Sequence, residues 1–188
     1  MSALQEVKQA ARKAAFARRK AAHEASGPGE AALLSGVLAG YRGVPIAGYM
    51  AMRTEIDPLA AMEEAAAHGP VGVPVIEAPG QALTFARWMP GCELKDGPFG
   101  AMIPASAEIM IPEIVIVPLV AFDVQGGRLG YGGGFYDRTL ELLRSHRPTL
   151  AIGFAYAAQE DRALPLEPTD QPLDLIVTEN GVMTPKSR

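Results

Sequence analysis

The sequence predicts an α/β fold: a mostly parallel sheet with helices on both faces, in three layers ordered α/β/α. Three observations carry this. Apolar stretches of strand length alternate with helical segments through most of the 188 residues. Alternation of that kind builds a sheet covered on both sides. One stretch, Ile114-Val115-Ile116-Val117, is wholly β-branched, as expected in the middle of a buried parallel sheet. A glycine-rich loop then follows that stretch and opens a helix, a Rossmann-like connection.

Each element has its own reason. Residues 3–24 read as a helix, because Leu4, Val7, Ala11, Ala14, Ala15 and Ala22 recur at near-helical spacing among good helix formers. Ser26-Gly27-Pro28-Gly29 stops it. A second helix runs over 30–39 and ends at Gly40. Val44 to Met52 is strand-like. Asp57-Pro58 pairs an N-cap acceptor with proline in the first helical position, so a helix runs from there to about Ala67. His68-Gly69-Pro70 ends it. Strands follow at 71–76 and 83–88. Residues 89–113 carry Pro90, Gly91, Gly97, Pro98, Gly100, Pro104 and Pro112, and read as a long ordered loop. After the strand at 114–117 and the glycine-rich loop at 126–134, a helix covers 135–143. Strands at 150–154 and 175–178 complete the pattern. With no linker, repeat or low-complexity block, residues 1–188 form one domain.

Composition excludes several classes. Hydrophobic residues make up 48% of the chain and charged residues 20%, which argues against intrinsic disorder. The lone Cys92 rules out an intrachain disulfide framework. His23, His68 and His146 lack the spacing of a zinc hydrolase. The longest apolar run, 114–122, contains Pro118 and falls far short of the roughly 20 residues of a membrane helix. No apolar run follows the basic N-terminal segment, so a secretory signal is not expected; a transit peptide stays open on composition, with Glu6 and Glu24 counting against it, and a reducing, cytoplasmic setting is the default expectation. The net charge of −4 is uneven: residues 1–23 carry +5 and the remainder −9. A broad face for nucleic acid is therefore not expected, but one cationic helix can serve a phosphate ligand.

The most informative stretch is residues 123–138, Asp-Val-Gln-Gly-Gly-Arg-Leu-Gly-Tyr-Gly-Gly-Gly-Phe-Tyr-Asp-Arg. Six of the nine residues from 126 to 134 are glycine. Glycine permits positive φ and close backbone approach to a ligand. Successive N–H groups then line an anion site, and the following helix adds its free N–H groups and dipole. Arg128 and Arg138 bracket the loop with charge suited to phosphate oxygens. It is neither a Walker A loop nor a dinucleotide fingerprint.

The run from Pro118 to Asp137 resembles the signature of the 5-formyltetrahydrofolate cyclo-ligase family, also called methenyltetrahydrofolate synthetases. The shared elements are an apolar strand, Ala-Phe-Asp, and Arg-Leu-Gly-x-Gly-x-Gly-aromatic-Tyr-Asp. Lys8-x-x-x-Arg12, Glu55-Ile56-Asp57, Trp88-x-Pro-Gly, Phe99-Gly100 and the segment Leu173 to Gly181 also match, in the right order. Phe135 stands where the family often has tyrosine, Thr169-Asp170 where His-Asp is common, and Pro58 where threonine is frequent.

The resemblance implies conversion of 5-formyltetrahydrofolate and ATP to 5,10-methenyltetrahydrofolate, ADP and phosphate, with Mg²⁺. It implies that the formyl oxygen attacks the γ-phosphate, that N10 attacks the resulting iminium phosphate, and that phosphate then leaves. Carried over residue by residue, Lys8 and Arg12 reach the ATP phosphates, and Arg128, Leu129, Gly130, Tyr131, Gly132, Gly133, Gly134, Phe135 and Tyr136 form the ATP loop. Met50, Glu55 and Tyr136 bind the folate, with Glu55 accepting hydrogen bonds from the pterin edge. Asp137 and Asp174 stand on the metal side. No residue is assigned as a covalent or acid–base catalyst. Phe99 and Trp88 are either pocket walls or core. The expected partners are small molecules, with no nucleic acid and no membrane, and the expected state is a monomer or weak homo-oligomer. Two other classes stay open. One is a non-catalytic nucleotide- or folate-binding module, against which the presence of Lys8, Arg12, Asp137 and Asp174 counts. The other is an ATP-dependent transferase on a related scaffold, which fold alone does not separate.

Overall fold

A computed structural model describes residues 3–106 and 108–186. The chain starts with α1 (Ala3–Ala25) and α2 (Ala32–Leu38), then β1 (Ile46–Ala47), α3 (Leu59–Ala66), β2 (Val71–Val75) and β3 (Thr84–Trp88). It continues through β4 (Leu94–Asp96), β5 (Met102–Pro104), β6 (Ile114–Pro118), β7 (Ala121–Phe122) and β8 (Arg128–Leu129). The last elements are α4 (Phe135–His146), β9 (Leu150–Phe154), β10 (Leu175–Val177) and β11 (Val182–Met183).

Seven strands form the main sheet in the order β11-β10-β9-β6-β1-β2-β3. The five central strands are parallel; β3 and β11 close the edges antiparallel. The expected α/β sheet is therefore present, with antiparallel edges. Its strand order reverses at β1: the chain first builds toward β2 and β3, then returns to place β6 on β1's other side. The carboxyl ends of β1 and β6 thus flank a topological switch point, where open α/β sheets bind ligands.

Side chains alternate across β6. Ile114 and Ile116 join Leu34, Leu38 and Ala61 of α2 and α3 on one face. Val115 and Val117 join Leu140 of α4 on the other. These side chains are almost wholly buried, and each Val, Leu and Ile among them contributes about 1.5–3 kcal/mol relative to exposure. The start of α3 falls one residue later than expected: Pro58 holds the cap position and Leu59 the first helical one, while Asp57 Oδ1 accepts the Leu59 N–H at 3.0 Å, satisfying an otherwise orphan donor.

Three further features differ from the sequence reading, and a fourth lay outside it. The stretch 44–52 pairs as a strand only at Ile46–Ala47. Its later apolar residues serve burial instead: Tyr49 enters the core and donates to the Ile56 carbonyl at 2.7 Å. The proline-rich stretch 89–113 contains the β4–β5 hairpin, closed by Gly97 N–H to the Ala101 carbonyl at 2.8 Å. The glycine-rich loop begins as the β7–β8 hairpin, whose turn is held by Asp123 Oδ1 accepting from Gln125 and Gly127. Finally, α1 lies against that hairpin: its fully buried Ala15 packs on Val120, Ala121 and Leu129.

Candidate functional site

The pocket opens at the switch point and encloses about 1140 Å³. That slightly exceeds the roughly 300–1,000 Å³ usual for a single small ligand. Its walls come from α1, the segments after β1 and β2, the turn of the β4–β5 hairpin, residues 128–138 and the loop at 167–170.

The small Ala15 lets α1 approach the β7–β8 hairpin closely. Lys8, Arg12, Ala15 and Arg19 are spaced four, three and four apart, so they share one helical stripe. Docking Ala15 therefore turns all three cations inward. Arg12 Nε donates to the Gly130 carbonyl at 2.8 Å. Its other nitrogens have no partner among the described residues and are available to an anion. Lys8 is nearly buried; its Nζ pairs with Glu167 Oε2 and lies 3.7 Å from Asp170 Oδ2.

Two loop positions need glycine for their backbone conformation. Gly132 has φ +100°, and a Cβ there would sit 3.3 Å from Arg12 Nη2. Gly134 has φ +65°, immediately ahead of α4. Positive φ at both positions is costly for other residues. The loop thus delivers its backbone to the pocket beside the N-terminal turn of α4, whose first N–H groups lack helical partners. Phe135 lies under the Arg138 guanidinium at 5.5 Å.

Arg128 occupies the loop but is committed inward. Its side chain is 4% exposed; Nη2 donates to Asp137 Oδ1 at 2.7 Å and Nη1 to the Gln171 carbonyl at 2.6 Å. Asp137 Oδ1 also accepts the Gln171 N–H at 2.8 Å. Asp137 faces the pocket, whereas Asp174 does not line it. Asp174 Oδ2 instead accepts from Arg144 and from the Ala151 N–H, at 2.8 and 2.7 Å. Arg144 also donates to the Gln171 side chain at 3.1 Å, linking the two aspartates through Gln171.

Across the pocket, Glu55 is buried and Met50 half-buried. Glu55 Oε2 accepts the Met52 N–H at 2.9 Å, and Oε1 accepts the Tyr131 hydroxyl at 2.5 Å. Burial and then the Glu55 carboxylate push the phenols of Tyr49, Tyr131 and Tyr136 well above their ordinary value. All three are therefore protonated at neutral pH. Phe99 projects into the pocket with φ +60°, while Trp88 is core beneath α3.

The structure thus gathers Lys8, Arg12, the 128–137 loop, Met50, Glu55 and Tyr136 around one cavity and leaves Asp174 behind it. Sequence reasoning gave no site role to Arg19, Thr54, Glu167, Asp170 or Gln171; Arg19 had a signal in its place on the Lys8–Arg12 stripe, and Asp170 in the Thr169-Asp170 step that stands where the family commonly has His-Asp. No group of three or more metal-binding side chains occurs among the described residues; the pocket acid Asp137 is a carboxylate of the kind that could hold a divalent cation together with substrate phosphates.

These features define an α/β protein of the doubly wound kind, with a glycine-rich anion cradle and a buried carboxylate facing each other across a switch-point pocket. The chain belongs to the 5-formyltetrahydrofolate cyclo-ligase family, whose model matches residues 5–179. It is 41% identical over 101 residues to the 5-formyltetrahydrofolate cyclo-ligase of Haemophilus influenzae, covering 50% of this chain and 54% of that protein. The chain thus spans about half the length of that relative. It is 30% identical over 193 aligned positions to the cyclo-ligase of Mycolicibacterium smegmatis, covering 93% of this chain and 92% of that one. The 5,10-methenyltetrahydrofolate synthetase of Aquifex aeolicus superposes with a TM-score of 0.74 at 28% identity, covering 97% and 94% of the two chains.

Proposed function

We propose that this chain converts 5-formyltetrahydrofolate to 5,10-methenyltetrahydrofolate, using ATP and Mg²⁺ and releasing ADP and phosphate. The observation that carries the reading is one cavity with an anion cradle on one wall and the buried Glu55 carboxylate on the other.

On this reading the residues act by positioning and charge neutralisation, which phosphoryl transfer chiefly needs. Arg12 offers its free guanidinium nitrogens to the phosphates. Lys8 joins it after exchanging Glu167 and Asp170 for phosphate oxygens. The backbone N–H groups of 130–134 and the start of α4 cradle the same oxygens. Glu55 accepts hydrogen bonds from the pterin N–H edge, and Met50 and Tyr136 pack on the ring. The formyl oxygen attacks the γ-phosphorus as the bond to ADP breaks. N10 then attacks the activated formyl carbon, its proton passes to the phosphate oxygens, and phosphate departs with the former formyl oxygen. No protein side chain is bonded to substrate.

Asp137 would hold the magnesium ion, with Asp174 supporting from behind through Arg144 and Gln171. When bound, the ion would neutralise charge on the transferring phosphoryl group. The work is done by a single domain in the cytoplasm, as a monomer or weak oligomer.

The test is absorbance in the methenyl band on mixing protein, 5-formyltetrahydrofolate, Mg²⁺ and ATP, with ADP followed in parallel. A rise that requires ATP and matches ADP one for one is expected. ATP binding with no rise and no ADP would leave a binding module. ADP release with another acceptor, but not with this folate, would indicate a transferase.

A further inference from the structure

Arg19 is 1% exposed, among the most buried large side chains in the molecule. A buried guanidinium ordinarily demands a carboxylate partner. Among the described residues Arg19 has none in direct contact. Its Nε donates to Thr54 Oγ1 at 3.0 Å and its Nη1 to the Tyr131 hydroxyl at 2.5 Å. Its charge also lies over the rings of Phe16 and Tyr131, at 5.1 and 5.5 Å. The Tyr131 hydroxyl then donates to Glu55 Oε1 at 2.5 Å. A protonated phenol has one donor and accepts at its lone pairs. The direction of both bonds is therefore set: Arg19 to Tyr131, and Tyr131 to Glu55.

We propose that Arg19 is a positioning residue for the folate substrate, holding the Glu55 carboxylate toward the pocket through the hydroxyl of Tyr131. The proposal rests on the functional reading above. Arg19 and Glu55 are a buried opposite-charge pair separated by one hydroxyl. Arg19 also grips Thr54, the residue before Glu55, so one side chain from α1 steadies both the carboxylate's backbone and its Oε1. Met52 N–H fixes Oε2. The carboxylate is thus oriented from both oxygens before a pterin arrives. Because Tyr131 itself is 44% exposed, its ring can swing away to share or yield Oε1 to the ligand. Tyr131 belongs to the glycine-rich loop by its backbone and to the folate wall by its hydroxyl.

The experiment measures dissociation constants of 5-formyltetrahydrofolate and of Mg²⁺-ATP separately for the wild-type chain, Arg19→Gln, Arg19→Lys, Tyr131→Phe and the Arg19→Gln/Tyr131→Phe pair. Tyr131→Phe keeps the ring under the guanidinium and removes only the relay oxygen, so it tests the idea even where Arg19→Gln fails to fold. A charged hydrogen bond is worth enough to change affinity about tenfold. Both single variants are expected to weaken folate binding by about that factor with ATP binding within about twofold. Arg19→Lys recovers part of the loss, and the double variant is no worse than the weaker single one, because both cut the same relay. Unchanged folate affinity in Tyr131→Phe, or folate and ATP affinity falling together, overturns the relay while the functional reading stands. Failure of the wild-type chain to bind 5-formyltetrahydrofolate overturns both.

Discussion

Asp137→Asn separates the two jobs this carboxylate can have. In the structure Oδ1 accepts two bonds, from Arg128 Nη2 at 2.7 Å and from Gln171 N–H at 2.8 Å. Asparagine keeps one carbonyl oxygen in that position, so both bonds survive and only the charge is lost. Arg128 is 4% exposed and Asp137 28% exposed at their side chains. A hydrogen bond to a charged group contributes about 1.5–3 kcal/mol. Retaining the neutral bond reduces the expected destabilisation to about 1–2 kcal/mol. For a chain of this size that corresponds to a fall in Tm of about 2–8 °C. If the carboxylate also holds the magnesium ion, the Mg²⁺ concentration for half-maximal methenyl formation should rise by about 10–100-fold. The folate dissociation constant, measured without ATP, should move little. The assay is a Mg²⁺ titration at saturating ATP and 5-formyltetrahydrofolate, beside a thermal melt. A lowered Tm with an unchanged Mg²⁺ titration would refute the metal role and leave Asp137 as Arg128's structural partner.

Two further outcomes follow from the same contacts. Glu167→Gln frees Lys8 from its closer acid while Asp170 remains; since Glu167 is half exposed, the pair contributes only about 0.2–1 kcal/mol. ATP should therefore bind up to about fivefold tighter in equilibrium titration, and weaker binding would mean that Glu167 orients Lys8 rather than competing for it. The buried phenols set an alkaline limit. Burial, against a smaller opposing bond from Ser26, pushes Tyr156 up to about 12, and Tyr49, Tyr131 and Tyr136 lie well above their ordinary value. Because these folded-state values exceed the unfolded value of about 10, the stability they contribute is intact below that pH and is lost as pH rises through the folded values. Tyrosinate absorbance from Tyr49, Tyr131, Tyr136 and Tyr156 should develop together with unfolding; ionisation of these four near 10 in a folded chain would contradict the structure.

Local chemistry determined much of this protein in its linear sequence. Alanine, lysine and arginine at helical spacing produced α1, and Ile114 to Val117 could only be a strand buried on both faces. Asp57 ahead of Pro58 marked the start of α3 to within one residue. Glycines at 132 and 134 marked backbone that L-residues adopt at a cost. Each of these depends on a residue and its near neighbours, so the order of the residues contains the answer. The β4–β5 and β7–β8 hairpins were hidden, because each pairs two or three residues across turns whose prolines and glycines read equally well as loop.

What only the tertiary structure decided is which charges meet. Arg128 reads as a phosphate ligand beside its glycines, yet it turns inward to Asp137 and Gln171. Asp174 reads as a pocket acid, yet Arg144 and the Ala151 N–H hold it behind the pocket wall. Arg19 reads as one more charge on the cationic first helix, yet docking of Ala15 against the β7–β8 hairpin buries it opposite Glu55. The ion pairs of the site join residues 9 to 162 positions apart, and their energy depends on distance and burial in space. Sequence neighbours do not specify either quantity; the packing of α1 and the 167–171 loop over the sheet does.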